Sequence, residues 1–481
     1  MTHHGLSRRL LLKRAIVLSM LAAIERLIPA CAVTPTTSVI SGSRSPLSGA
    51  VIDLIISEQS FLLDGHTATA MTFNGNIPGP VVRLKDGQQA TLRVTNHLEE
   101  STSIHWHGIL LPHDMDGVPG VSFADIKPGT TFTYRFPVKQ SGTYWFHSHL
   151  GGQEMLGLYA PMIIDPVTPD PFRYEREYVV MLSDWSFESP ETLFSNPKKQ
   201  AGYYNFQKRA AGEFFTDVRR LGFWPAIQNY LLWDQMRMDP TDFADVTAYS
   251  LTYLMNGLSP IGNWTGLFRP GERVRLRFIN GASTTFYDVR IPGLMMTVVQ
   301  ADGQNIQPVV VDEFRMGVAE TYDVIVEPVE DLAYTIFAET IDRSGYARGT
   351  PAPRAGMSGE IPPRRHRPLR TMADMGMPMD HMRMAGLERS GEQKHSHGGD
   401  MTMSGTAPSG EMPSTTPSGD KSHMGHGSGV QSKPGMHEMP GSTARDPHQS
   451  DIPGAEPVKH GPDDHGPGME AGMFRIVEVV A

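Results

Sequence analysis

From about Val51 to Asp165, apolar and polar positions alternate over short stretches. Ala90-Thr91-Leu92-Arg93-Val94-Thr95 alternates strictly, and Thr131-Phe132-Thr133-Tyr134-Arg135-Phe136 does the same. Successive residues of a strand face opposite sides, so this alternation predicts half-buried strands. Asp86-Gly87 and Pro128-Gly129 supply turns between them. Short strands at this spacing predict an all-β class, as a sandwich or a barrel.

A second β unit is expected from about Tyr178 to Thr340. Arg273-Val274-Arg275-Leu276-Arg277-Phe278 alternates cleanly, and Phe286–Ile291, Met296–Gln300, Pro308–Val311 and Tyr322–Val326 add strand candidates. Between Ala211 and Asp239 the period lengthens to a helical one through Phe214, Val218, Leu221, Ile227 and Leu231. Pro225 should break or kink that helix. Past about Ala347 the pattern fades. Residues 351–468 are rich in Pro, Gly, Ser, Met and His and poor in aromatic and β-branched residues. Such a segment cannot bury enough apolar surface to offset its ordering entropy, so disorder is expected there. Met473-Phe474-Arg475-Ile476-Val477-Glu478-Val479 reads as one isolated strand.

The 481 residues suffice for two or three domains of ordinary size, and the net charge of −10 carries no basic stripe, which argues against nucleic acid as a partner. A single cysteine, Cys31, excludes a disulfide framework and any Cys-rich metal site within these residues. Residues 1–32 read as a targeting segment. Ser7-Arg8-Arg9-Leu10-Leu11-Leu12-Lys13 resembles a twin-arginine export signal, and Ala15–Ile24 is an apolar run too short for a stable anchor. Ala30-Cys31-Ala32 fits a small-x-small cleavage site. Cys31 as a lipidated residue is the less favoured alternative, since Pro29 spoils the match. Export to the periplasm is the expectation, with no stable transmembrane segment.

Two His-x-His pairs carry candidate chemistry. His105-Trp106-His107 and His147-Ser148-His149 lie in strand-patterned, aromatic-rich sequence. Residues i and i+2 of a strand share a face, so each pair should project together, with Trp106 and Ser148 pointing the other way. Adjacent strands bearing both pairs would gather four imidazoles, which suit Cu, Zn, Ni or Fe, with divalent copper bound tightest. A third pair, His395-Ser396-His397, lacks strand context and shows that the pattern alone is weak.

His-Trp-His-Gly at 105–108, Met-Asp-Gly-Val-Pro-Gly at 115–120 and Tyr-Trp-Phe-His-Ser-His-Leu-Gly-Gly-Gln at 144–153 resemble the first cupredoxin domain of multicopper oxidases. The likeness is to the bacterial copper-resistance protein A subfamily. Leu254-Met255-Asn256-Gly257, Arg277-Phe278-Ile279-Asn280-Gly281 and Ala319-Glu320-Thr321-Tyr322-Asp323-Val324 resemble its second domain, and Thr371–Met377 with the Met/His-rich tract resembles the same subfamily. The resemblance covers about residues 50–385. It implies two Greek-key β-sandwich domains, at 50–167 and 172–346, and copper as cofactor. In the family a type 1 copper takes electrons from a reducing substrate, Cu(I) or a phenol, and a trinuclear cluster reduces dioxygen to water. By resemblance His105 belongs to the type 2 copper, and His107, His147 and His149 to the type 3 pair. Asp116 corresponds to an acidic residue that helps deliver protons; it also reads simply as a turn residue before Gly117.

The family's other four cluster histidines and its type 1 cysteine lie in a third domain, as His-x-x-His-x-His and His-Cys-His-x-x-x-His. Neither motif is present in these residues. A blue copper site needs a thiolate, and Cys31 lies in the targeting segment. Residues 469–481 resemble the strand that follows His-Cys-His. Met473 would be its axial ligand, a remnant without use here, and Gly468 stands where the type 1 histidine would be. A third domain largely lost, with its last strand retained, is the expectation. The stretch 357–473 holds 15 of 28 methionines and 10 of 19 histidines. Met372, Met375, Met377, Met379, His381, Met382 and Met384 form its densest group. Thioethers favour Cu(I), so this tract is a candidate for weak Cu(I) binding. Substrate and oligomeric state are not fixed by the sequence.

Overall fold

The structure, a computed structural model, describes residues 45–371 and residue 374. Among the described residues two compact units emerge: residues 45–208 with 241–369, and residues 209–240 with 370, 371 and 374. The first unit contains two β-sandwiches.

The first sandwich is built from β1 (Ile52–Leu63), β2 (His66–Phe73), β3 (Val82–Lys85), β4 (Gln89–Asn96), β5 (His105–His107), β6 (Thr131–Pro137), β7 (Gly142–His147) and β8 (Tyr159–Asp165). One sheet runs in the order β2-β1-β4-β6 and the other β3-β8-β7-β5, with β1–β4 and β3–β8 parallel. The alternation that predicted strands works as expected on β4, where Ala90, Leu92 and Val94 are buried and Gln89 and Arg93 are exposed. These residues meet Leu54 and Ile56 of one sheet and Trp106, Phe146, Met162 and Ile164 of the other in one core. Trp106 is fully buried, as its place between two outward histidines predicts.

The second sandwich comprises β9 (Arg176–Ser186), β10 (Leu251–Met255), β11 (Trp264–Leu267), β12 (Val274–Asn280), β13 (Tyr287–Arg290), β14 (Met296–Ala301), β15 (Gln304–Val311), β16 (Glu313–Met316), β17 (Thr321–Val326), β18 (Ile336–Thr340) and β19 (Tyr346–Ala352). Its sheets run β10-β9-β12-β17-β14-β15 and β11-β19-β18-β13-β16. Strand β19 crosses the expected boundary at residue 351, and Pro351 and Ala352 are buried in it. Composition misplaced that edge because pairing with β18 and β11, not the strand's own residues, holds it in place.

Strand β12 departs from what alternation suggests. All seven of its residues are buried, Arg275 and Arg277 included. The polar face is turned into protein rather than water, and acidic partners offset the desolvation of both guanidinium groups. Arg275 binds Asp170, Asp323 and Gln300 through its three nitrogens. Arg277 binds Glu177, Asp323 and Thr143. Thr143 lies on β7 and donates to Asp323 Oδ1 at 2.7 Å, so this charged cluster ties the two sandwiches together. Beside it, Gly142 (φ +136°) and Gly303 pack backbone to backbone: a Cβ on Gly142 would lie 2.4 Å from the Gly303 carbonyl oxygen. Phe61, Ile77, Trp145, Met181, Trp185 and Leu254 form an apolar cluster drawn from both sandwiches.

A helix that periodicity did not reveal, α1 (Pro190–Lys199), follows β9, with Ser189 as its N-cap and Pro190 in its first turn. The second unit holds the predicted helical insertion as two helices, α2 (Ala211–Leu221) and α3 (Phe223–Gln235). The break falls at Gly222 (φ +91°), not at Pro225. Pro225 sits in the first turn of α3, where a proline's missing N–H costs nothing. The helices pack on one another through the Arg209 guanidinium over the Tyr230 ring at 3.9 Å and the Phe214–Tyr230 edge contact at 5.3 Å. No helix among the described residues is long and apolar enough to cross a membrane. Residues 1–44, with the targeting segment and Cys31, lie outside the described residues. So do Met372, Met375, Met377, Met379, His381, Met382 and Met384, the 395–397 pair and the 469–481 strand with Met473.

Candidate metal centre

Strands β5 and β7 are antiparallel neighbours, with His105 opposite His147 and His107 opposite Trp145. Cross-strand partners on one face stand close enough to share a ligand. The ligand nitrogens of His105, His107 and His147 come within 4.8 Å of one another. Three of the four expected imidazoles therefore converge.

His149 reaches the site differently from what its spacing predicts. Strand β7 ends at His147, so His149 stands beyond the strand and not on its face. A turn carries it instead. Ser148 N–H donates to the Leu158 carbonyl at 3.0 Å, and His149 N–H donates to Ser103 Oγ at 3.2 Å. The exposed His149 ring then lies 5.4 Å from that of His105 and 5.9 Å from that of His147, centroid to centroid. Ser148 is buried, and its hydroxyl donates to Gln153 Oε1 at 2.7 Å.

The ring nitrogens of the converging histidines differ in their partners. His105 Nδ1 lies 3.0 Å from the Asp116 carbonyl oxygen and 3.3 Å from its carboxylate, leaving Nε2 as the available ligand atom. Gly117 makes this contact possible. Its φ is +75°, and a Cβ there would lie 1.7 Å from the Ile104 carbonyl oxygen. Only glycine lets the Met115-Asp116-Gly117 turn press against the start of β5. His147 Nδ1 lies 3.0 Å from the Ser148 carbonyl oxygen and 2.9 Å from Glu154 Oε2. His147 Nε2 and His107 Nδ1 are buried with no hydrogen-bond partner.

Buried polar atoms are normally paired, so two unpaired imidazole nitrogens aimed into one cluster suit an external ligand. Neutral imidazoles supported by carboxylates at the far nitrogen are the donor set of a transition-metal site, and they fit copper. Burial, reinforced by His147, His105 and His149, pushes the His107 pKa down to about 4. Burial likewise lowers that of His105, with the Asp116 carbonyl pulling the other way. His107 is thus neutral and ready to bind metal at neutral pH. Trp145 stacks on both His147 (4.2 Å) and His107 (5.1 Å), walling the site on one side.

Two residues beside the histidines were assigned no role from the sequence, although Gln153 closes the 144–153 motif. Gln153 joins the segments leading to and from the histidines: its Oε1 accepts from Thr102 and Ser148, and its Nε2 donates to Glu100 and the Ser101 carbonyl. Glu154 holds His147. For Glu154 the only signal is position, seven residues after His147.

A fold of two cupredoxin-like sandwiches with a histidine cluster at one strand pair defines a class, and comparison with known proteins agrees. Multicopper oxidase family models match residues 56–168 and 222–355, together just over half of the chain. The chain belongs to the multicopper oxidase family, whose cofactor is copper. It is 56% identical over 369 residues to copper resistance protein A of Escherichia coli, covering 75% of this chain and 61% of that one. It is 56% identical over 341 residues to a copper resistance protein A homolog of Pseudomonas syringae pv. tomato, covering 71% and 58%. The chain thus spans about three-fifths of these relatives' length. Among solved structures, a laccase from Botrytis aclada superposes with a TM-score of 0.50 at 29% identity, over 66% of this chain and 56% of that one.

Proposed function

We propose that this chain is an exported, periplasmic copper-resistance protein that holds copper on His105, His107, His147 and His149. The convergence of three imidazoles around two unpartnered buried nitrogens carries the reading. His105 would serve a type 2 copper, and His107, His147 and His149 a type 3 pair. Bound copper supplies one-electron redox chemistry, which in this family couples oxidation of Cu(I) or phenolic substrates to reduction of dioxygen to water. Asp116 orients His105, and its half-exposed carboxylate stands where it can hold a proton for that chemistry. The Met/His tract around Met372–Met384 would bind Cu(I) weakly and pass it on.

One observation favours a second reading, copper binding without turnover. The 481 residues contain one cysteine, Cys31, and no His-Cys-His motif. Sequestration is then the expected activity of these residues by themselves. Copper loading of the purified chain decides between the two. Bound Cu(II) that disappears in a His105→Ala/His147→Ala double variant supports the site. An intense thiolate-to-copper absorption band, or steady oxygen uptake with a phenolic donor, would overturn the non-catalytic reading. Deleting residues 372–439 should lower Cu(I) stoichiometry while leaving the imidazole-bound Cu(II) in place.

A further inference from the structure

Two of the converging histidines have their far nitrogens held, but by different means. At His105 the nearer partner is the Asp116 main-chain carbonyl, at 3.0 Å, with the carboxylate at 3.3 Å. At His147 the nearer partner is a carboxylate, Glu154 Oε2 at 2.9 Å, with the Ser148 carbonyl at 3.0 Å. Glu154 is itself fixed. Gly157 N–H donates to the Glu154 carbonyl at 3.0 Å, and Leu158 N–H donates to the Gln153 carbonyl at 3.1 Å. Gln153 in turn anchors this turn to Glu100, Ser101 and Thr102, at the entry to β5. The His147–Glu154 pair is largely buried, with side-chain exposures of 9% and 22%, so water screens it little.

We propose that Glu154 is a positioning residue of the copper site, acting through His147. It accepts the Nδ1 proton of His147 and so holds the ring in the tautomer that leaves Nε2 bare. Nε2 is the atom the fold buries without a partner. The carboxylate also makes the imidazole a stronger donor, since charge at the far nitrogen raises ligand basicity. Trp145, stacked on the His147 ring at 4.2 Å, restricts its tilt. Glu154 therefore sets which nitrogen faces the metal and how firmly it binds. This rests on the copper-binding reading above.

The test compares Glu154→Gln and Glu154→Leu with the wild-type full chain at one fixed pH. Gln keeps an acceptor for Nδ1–H and removes the charge; Leu removes both. Two readouts are needed. The first is Cu(II) affinity, taken as the component that His147→Ala abolishes, so that the Met/His tract does not contribute. Glu154→Leu should weaken it about 10–100-fold, with Glu154→Gln in between. The second is the His147 imidazole resonances in the copper-free protein. Wild type should show the Nδ1–H tautomer with a downfield proton, which moves upfield in Glu154→Leu. Unchanged affinity in both variants overturns the proposal. So does weakened affinity with unmoved His147 resonances, the mark of a general structural role. If no wild-type Cu(II) depends on His147, the copper reading itself fails, and the copper-free resonances still report on Glu154.

Discussion

The two sandwiches share an architecture and differ in how one buried polar cluster in each is satisfied. The second buries Arg275 and Arg277, yet every side-chain nitrogen of both finds a partner within the protein. The first buries His107 Nδ1 and His147 Nε2 with none. Burial of polar groups alone therefore does not mark a functional site. Fully partnered charges point to structure, whereas converging unpartnered nitrogens point to something outside the chain. One fold serves both ends, and the chemistry lies in the side chains placed on it.

Asp323→Ala should strike this contrast hardest. It takes one acidic partner from each of two buried guanidinium groups and the acceptor from the Thr143 hydroxyl, and a loss of about 3–5 kcal/mol is expected in denaturant unfolding. A loss below about 1 kcal/mol would mean that water or rearrangement supports the arginines, and the contrast would weaken.

Gly117→Ala acts on the other side. The positive φ costs roughly 1–3 kcal/mol, at the upper end here because the new Cβ would lie 1.7 Å from the Ile104 carbonyl oxygen. The turn must retreat, carrying Asp116 away from His105. Weaker Cu(II) binding should accompany the lost stability; stability lost with copper binding intact would detach Asp116 from the site.

A pH effect of about 3 kcal/mol is expected from Glu320. Burial, opposed by the Gly317 N–H and reinforced by Asp302, raises its pKa to about 7. The folded state thus holds a proton that the unfolded state releases near 4.5. Its contribution is full below about 4.5 and is lost as pH rises through about 7. Glu320→Gln should flatten that slope and stabilise the protein at pH 8 in thermal melts; an unchanged slope would assign the effect elsewhere.

The smallest effect should come from Arg93→Ala. Arg93 pairs with Asp53 at 2.6 Å, but both side chains are more than half exposed. No resolvable change in the unfolding midpoint is expected. A large one would erase the distinction between buried and exposed pairs.

Much of this was legible in the chain. Period-two alternation located β4, β6 and β12, and the i, i+2 rule placed Trp106 in the core with His105 and His107 opposite it. Such signals are local, set by side-chain direction along one strand. His149 was expected on the face of β7, but it lies beyond that strand's end, with its ring 5.4 Å from that of His105. Gln153 closes the quoted motif, but its role was hidden because Glu100, Ser101 and Thr102 come from another segment, and Glu154 gave no signal of its own.

The sequence by itself determined the β class, the two sandwiches and the family, and it marked four candidate histidines, because strand periodicity and ligand residue types are written in consecutive residues. Only the tertiary structure decided which nitrogen of His105 and of His147 is held. It also decided that β12's polar face is buried by acids from Asp170, Glu177 and Asp323. Those outcomes depend on pairings between distant segments, and a strand's own pattern does not encode what will lie across from it.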